Sequence, residues 1–155
     1  MPLEIERKFL VKNDDWRKLA TGVIYRQGYI SRTPEKTVRV RVVGSQGYLT
    51  IKGKTIGRSR AEFEYLIPGE DAEEMLATLC EKPLIEKTRY KLIQGELIWE
   101  IDEFLGENQG LIIAEVELKN ENQVIELPAW LGQEVTDDPR YFNANLVTNP
   151  YRNWQ

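Results

Sequence analysis

The chain has 155 residues, with 21 Lys+Arg against 25 Asp+Glu, no His and one Cys, for a formal net charge of -4. A hydrophobic fraction of 41% with 10% aromatics excludes a disordered chain, and no apolar run is long enough to span a bilayer. The missing histidine removes Ser-His-Asp and Cys-His catalysis, an imidazole base and His-ligated zinc, and the lone Cys80 removes a Cys-rich zinc site.

Alternation at period two predicts eight strands, near 3–11, 23–31, 36–43, 47–54, 60–67, 85–93, 96–104 and 111–119. Between the first two, Asn13-Asp14-Asp15 ahead of Trp16, Leu19 and Ala20 reads as a short capped helix. Several connectors carry turn chemistry, such as Gly44-Ser45-Gln46-Gly47 and Gln94-Gly95, and are too short for parallel crossovers. After the fifth strand, Pro68-Gly69-Glu70-Asp71 leads into Ala72, Met75, Leu76 and Leu79, an apolar stripe at helical spacing. Lys82 near its end suits the helix dipole, and Pro83 stops it. Beyond Asn120 the pattern is irregular, with short helices expected around 128–131 and 140–147. No linker or repeat interrupts it, so one domain over 1–155 is expected. The N-terminus lacks an apolar signal segment, and with the lone Cys80 this predicts a cytoplasmic protein.

Adjacent strand residues face opposite ways, so parity shows which charges share a surface. Glu4, Glu6 and Lys8 oppose Leu3, Ile5 and Phe9; Arg39 and Arg41 oppose three valines; Thr50, Lys52 and Lys54 fall together. Glu62 and Glu64 share a face, as do Lys87 and Arg89, Glu100 and Asp102, and Glu115 and Glu117. Any one such pair is more often the wet face of an antiparallel sheet than a site. The set is unusual because it sorts by sign: acidic on the first, fifth, seventh and eighth strands, basic on the third, fourth and sixth. A surface tuned for solubility intersperses signs.

Eight antiparallel strands can close into a barrel. With its apolar face outward beneath the helices, the barrel encloses seven basic and eight acidic side chains in a wet lumen. Clustered carboxylates call for a hard cation, Mg²⁺ or Mn²⁺, and clustered Lys/Arg for a polyanion. A metal-chelated oligophosphate satisfies both.

These residues resemble a known family. Glu4-Ile5-Glu6-Arg7-Lys8 is similar to the E-x-E-x-K signature of the CYTH superfamily, the triphosphate tunnel metalloenzymes. Val38-Arg39-Val40-Arg41, Thr50-Ile51-Lys52-Gly53-Lys54, Glu62-Phe63-Glu64, Lys87-Thr88-Arg89-Tyr90, Glu100-Ile101-Asp102 and Glu115-Val116-Glu117 follow in the family's order, and Tyr141-Phe142-Asn143-Ala144-Asn145 resembles its C-terminal segment. The resemblance implies a mostly β fold of the α+β class, a closed eight-stranded antiparallel tunnel with helices outside. It implies metal ligation by Glu4, Glu6, Asp102, Glu115 and Glu117, and phosphate binding by Lys8, Arg39, Arg41, Lys52, Lys87 and Arg89. Glu4, Glu6, Lys8 and Glu117 carry catalysis in this reading, with Lys54, Glu62, Glu64 and Glu100 supporting. A metal-activated water attacks the terminal phosphorus without a covalent intermediate, and Lys8 assists the departing pyrophosphate.

The compact bacterial-type members point to inorganic tripolyphosphate as substrate. A nucleoside or thiamine triphosphatase ranks second, with Trp16, Tyr29 and Tyr48 as candidates for stacking a ring; a cyclase ranks third. A non-catalytic polyphosphate-binding barrel is the reading from another class. The resemblance also suggests a homodimer, and neither a nucleic acid nor a membrane is an expected partner.

Overall fold

The computed structural model describes residues 3–57 and 59–154. The eight expected strands are present within two residues at each end: β1 Leu3–Val11, β2 Val23–Arg32, β3 Thr37–Val43, β4 Gln46–Lys52, β5 Ser59–Ile67, β6 Ile85–Gln94, β7 Leu97–Phe104 and β8 Ile112–Glu117. A ninth, β9 at Leu131–Glu134, joins them. The order is β5-β4-β3-β2-β6-β7-β8-β1-β9, all antiparallel, and β5 also pairs with β1 to close the ring. Closure is split along β1, whose residues 3–5 pair with β5 while Phe9 and Val11 pair with β9. Positive φ at Gly44 (59°) and Gly95 (60°) makes the tight turns after β3 and β6, a conformation that side chains with a Cβ rarely adopt.

The chain leaves β5 and reaches β6 on the far side of β2 by way of α1, Gly69–Thr78, which lies on the outer faces of β3 and β4. Ala72 and Leu76 are buried there against Val40 and Val42, with Met75 packed at the edge. The Lys82 ammonium donates to the carbonyls of Leu76 and Ala77, completing the helix end. Leu79 is not part of the buried stripe: it follows the last helical turn and is exposed. Cys80 packs in the same apolar cluster, as a small hydrophobe.

Three expected helices take other forms. Asp15–Leu19 is a 3₁₀ helix, begun when Asn13 Oδ1 accepts from Asp15 N at 2.9 Å rather than by an Asp14 side-chain cap. Residues 128–131 form a turn that feeds β9, where Gly132 lets the strand approach β1: a Cβ there would lie 3.2 Å from the Leu10 carbonyl oxygen, a tight contact. Residues 140–147 are short 3₁₀ turns, Pro139–Tyr141 and Asn143–Leu146.

The apolar face points outward and is covered. Phe9, Trp99, Ile101 and Val116 pack with Trp16 and Trp130 on this outer side, whereas Ile85, Phe104 and Ile113 share the inner face with Lys87 and Asp102 and meet Tyr29, Tyr141 and Leu146 in a second cluster there. Burial of the outer layer and of this inner cluster stabilises the barrel, leaving the rest of the interior to polar residues. No described helix is long and apolar enough to cross a membrane.

Candidate active site

Parity along the strands delivers the charges to the lumen, which has two connected chambers of about 120 and 300 Å³. Both are lined by Glu4, Glu6, Arg39, Arg41, Lys52, Arg89 and Glu115. The smaller adds Lys8, Arg60 and Lys87; the larger adds Glu62, Glu64, Glu100 and Glu117, with Lys91 as its own basic residue. The tunnel is therefore polarised, more basic at one end and acidic at the other. Thirteen of the fifteen residues selected from the sequence line it. Lys54 lies past the end of β4 and is exposed, while Asp102 is fully buried on the inner face, opposite Arg89 in the β6–β7 register and covered by Arg89 and Lys87.

The acidic residues differ in how they are compensated. Lys8 Nζ donates to Glu115 Oε1 at 2.6 Å and lies 3.4 Å from Glu6. Burial opposes ionisation of Glu115, but Lys8, Arg89 and Lys87 together hold the carboxyl below its ordinary range. Lys52 Nζ spans both Glu4 oxygens at 3.0 Å and reaches Glu62 at 3.3 Å. Glu6 is the least compensated: burial, then Glu115, pushes its carboxyl up to about 7. Glu117, opposite Glu6 in the β1–β8 register, is also raised by burial and then by Glu4 and Glu62.

The cations show the complementary shortage. Arg39 has a buried Nε without a hydrogen-bond partner, and Arg60 has another. Arg41 bonds only the neutral Gln27 among the described residues; burial, then Arg39 and Arg89, pushes its guanidinium down. Guanidinium groups do not lose their protons in proteins, so this push expresses unmet demand for an anion. Arg41 and Arg89 both lie over the Tyr25 ring, at 5.0 and 4.7 Å.

Asp102 serves Arg89 and Lys87. Arg89 forks onto its two oxygens at 2.7 and 2.9 Å, and Lys87 Nζ adds 2.7 Å. Burial alone would raise the Asp102 carboxyl, but Arg89 and Lys87 hold it well below the usual carboxylate range. Burial pushes Lys87 down to about 7, against the pull of Asp102 and with help from Arg89 and Arg41.

Among the described residues, no three carboxylates converge closely enough to hold a metal ion as they stand. The donor set nevertheless suits one. Four glutamates offer hard oxygens, and the raised Glu6 and Glu117 carboxyls are those a divalent cation would stabilise.

Strand parity did not select Tyr25 and Tyr29 on β2, Arg60 on β5, or Asn143 beyond β9, all of which line the lumen, nor Gln27, fully buried on β2 as the partner of Arg41. The β2 residues carry no charge to mark the inner face. Of the three proposed stacking rings, Trp16 is fully buried outside the barrel against Tyr90, whereas Tyr29 and Tyr48 line opposite chambers.

Comparison with known proteins agrees with this architecture. The model of the CYTH domain family matches residues 2–151. An inorganic triphosphatase of Acetivibrio thermocellus is 57% identical over 155 residues, covering 100% of this chain and 99% of that protein. An inorganic triphosphatase of Nitrosomonas europaea is 41% identical over 150 residues, covering 93% and 96%. A solved structure of an inorganic triphosphatase superposes with a TM-score of 0.65 at 36% identity, covering 95% of each chain. With its closed tunnel and charge-sorted lumen, the chain belongs to the CYTH domain family.

Proposed function

We propose that this protein hydrolyses inorganic tripolyphosphate to pyrophosphate and phosphate with a divalent cation, Mg²⁺ or Mn²⁺. The observation that carries the proposal is the pairing of unmet demands in one lumen. Arg39 and Arg60 hold buried Nε atoms without partners, in the same lumen as the Glu6 and Glu117 carboxyls, raised by burial and then by neighbouring carboxylates. A polyanion with its cation meets both demands, and inorganic triphosphatase is the name borne by relatives at 57% and 41% identity.

In this reading Arg39, Arg41, Lys52, Lys87 and Arg89 hold the phosphoryl oxygens, with Arg60 at the more basic end. Glu4, Glu6, Glu115 and Glu117 would hold the cation, which when bound supplies Lewis-acid activation of water and neutralises phosphate charge. Asp102 orients Arg89 and Lys87 from behind. Glu62, Glu64 and Glu100 support Lys52, Arg39 and Arg89, at 3.3, 3.5 and 3.1 Å. Burial opposes the charge on Lys8, but Glu115 and Glu6 outweigh it and keep the ammonium protonated. Lys8 is thereby placed to stabilise charge on the leaving pyrophosphate.

Cytoplasmic residence and a homodimer belong to the same proposal. Supporting a dimer, Leu3, Ala61, Phe63 and Ile51 lie in register across the outer faces of β1, β5 and β4, and Leu3 and Ile51 are exposed. Turnover of tripolyphosphate, ATP and thiamine triphosphate, each with Mg²⁺, tests the substrate. The highest kcat/KM is expected for tripolyphosphate, and a clear preference for an organic triphosphate would overturn that assignment.

A further inference from the structure

The lumen's cations divide by what holds them. Lys8, Lys52, Lys87 and Arg89 rest on carboxylates that offset their charge. Arg41 does not: Gln27 Oε1 accepts from its Nε at 2.9 Å and from Nη2 at 2.8 Å. Gln27 is fully buried on β2, and its Nε2 donates to Asn143 Oδ1 at 3.3 Å. The same Oδ1 accepts from Lys87 Nζ at 2.8 Å. Arg and Lys can only donate, so both ends of this chain are donors and the orientation of both amides is forced. Asn143 Nδ2 is then left without a protein acceptor among the described residues, on a side chain that lines the tunnel.

We infer that Gln27 and Asn143 form a charge-neutral bridge that positions Arg41 and Lys87 while leaving the positive charge of Arg41 for the substrate. A glutamate at 27 would hold Arg41 in nearly the same place but as an ion pair, closing the guanidinium to an incoming anion. An amide supplies the geometry without the neutralisation. Asn143 comes from the 3₁₀ turn Asn143–Leu146, anchored by Leu146 against Ile85 and Phe104 on the inner face of the barrel. The bridge thus ties the C-terminal segment to the two cations it steadies. Both residues are positioning residues.

This inference rests on the triphosphatase reading, and Gln27→Glu separates the two. Wild-type turnover of tripolyphosphate with Mg²⁺ tests the reading; its absence sinks that reading and the bridge's role with it. Given turnover, Gln27→Glu is expected to raise KM by about tenfold or more, with a smaller change in kcat and a melting temperature at or above that of the wild type. A merely structural amide predicts instead a lowered melting temperature with KM preserved. Asn143→Asp, at a half-buried position, adds the carboxylate at the other end of the bridge and provides the second test if a carboxylate at 27 prevents folding. Unchanged KM in either folded variant, or failure of both to fold, overturns the inference.

Discussion

Arg89 grips both oxygens of Asp102, Nε to Oδ1 at 2.7 Å and Nη2 to Oδ2 at 2.9 Å, inside a wall where Asp102 is fully buried. Lys87 shares Oδ2, so one carboxylate steadies two cations. Asp102→Asn should destabilise the protein by about 3–5 kcal/mol in urea unfolding, because it strips a buried charge from its partners. Its folded pKa is depressed, so its contribution is present above the ordinary Asp value and is lost as pH falls toward the folded value. An unaltered unfolding midpoint in the variant at neutral pH would contradict this role.

Glu6 has the opposite sign. Its folded pKa is raised to about 7 from 4.5, so its contribution is fully present below 4.5 and is lost as pH rises through 7. In chelator, the wild-type melting temperature should show this loss across that window, whereas Glu6→Gln should flatten it. Mg²⁺ should raise the wild-type melting temperature at pH 8 more than that of the variant. Identical pH profiles for the two proteins would remove Glu6 from this account.

Arg39 and Arg60 each carry a buried Nε that the protein leaves unbonded. Arg39→Ala should weaken tripolyphosphate binding about 10–100-fold, the scale of one or two charge-assisted hydrogen bonds. Arg60→Ala should weaken it less, since Arg60 lines only the smaller chamber. Titration calorimetry measures both, and unchanged affinity for Arg39→Ala would exclude it from the anion site.

Gly47 separates stability from chemistry. A Cβ there would lie 2.6 Å from Ala72 Cβ, lifting α1 from β4 outside the tunnel. Gly47→Ala should cost about 1–3 kcal/mol of stability, yet leave KM for tripolyphosphate unchanged. A shifted KM would show that the outer layer controls the lumen.

The barrel was legible because its two faces differ so sharply in polarity. Val38-Arg39-Val40-Arg41-Val42 states its own orientation, and Val40 and Val42 are indeed buried under α1 while the arginines face inward. The signal failed where polarity does not alternate. Leu131-Gly132-Gln133-Glu134 has no such rhythm and becomes a strand through pairing with β1. Gln27 lies between two tyrosines on β2, so nothing local marks it as a partner of Arg41. Asp102 shares parity with the lumen residues and lies on their face, opposite Arg89, but alternation cannot express that Arg89 and Lys87 cover it from the lumen.

The most direct measurement is the product balance from tripolyphosphate incubated with pure protein. With Mg²⁺, one orthophosphate and one pyrophosphate per substrate consumed are expected, with no turnover in chelator and none by Glu4→Gln. Absence of phosphate release across Mg²⁺ and Mn²⁺, or equal release by Glu4→Gln, would contradict hydrolysis by this tunnel.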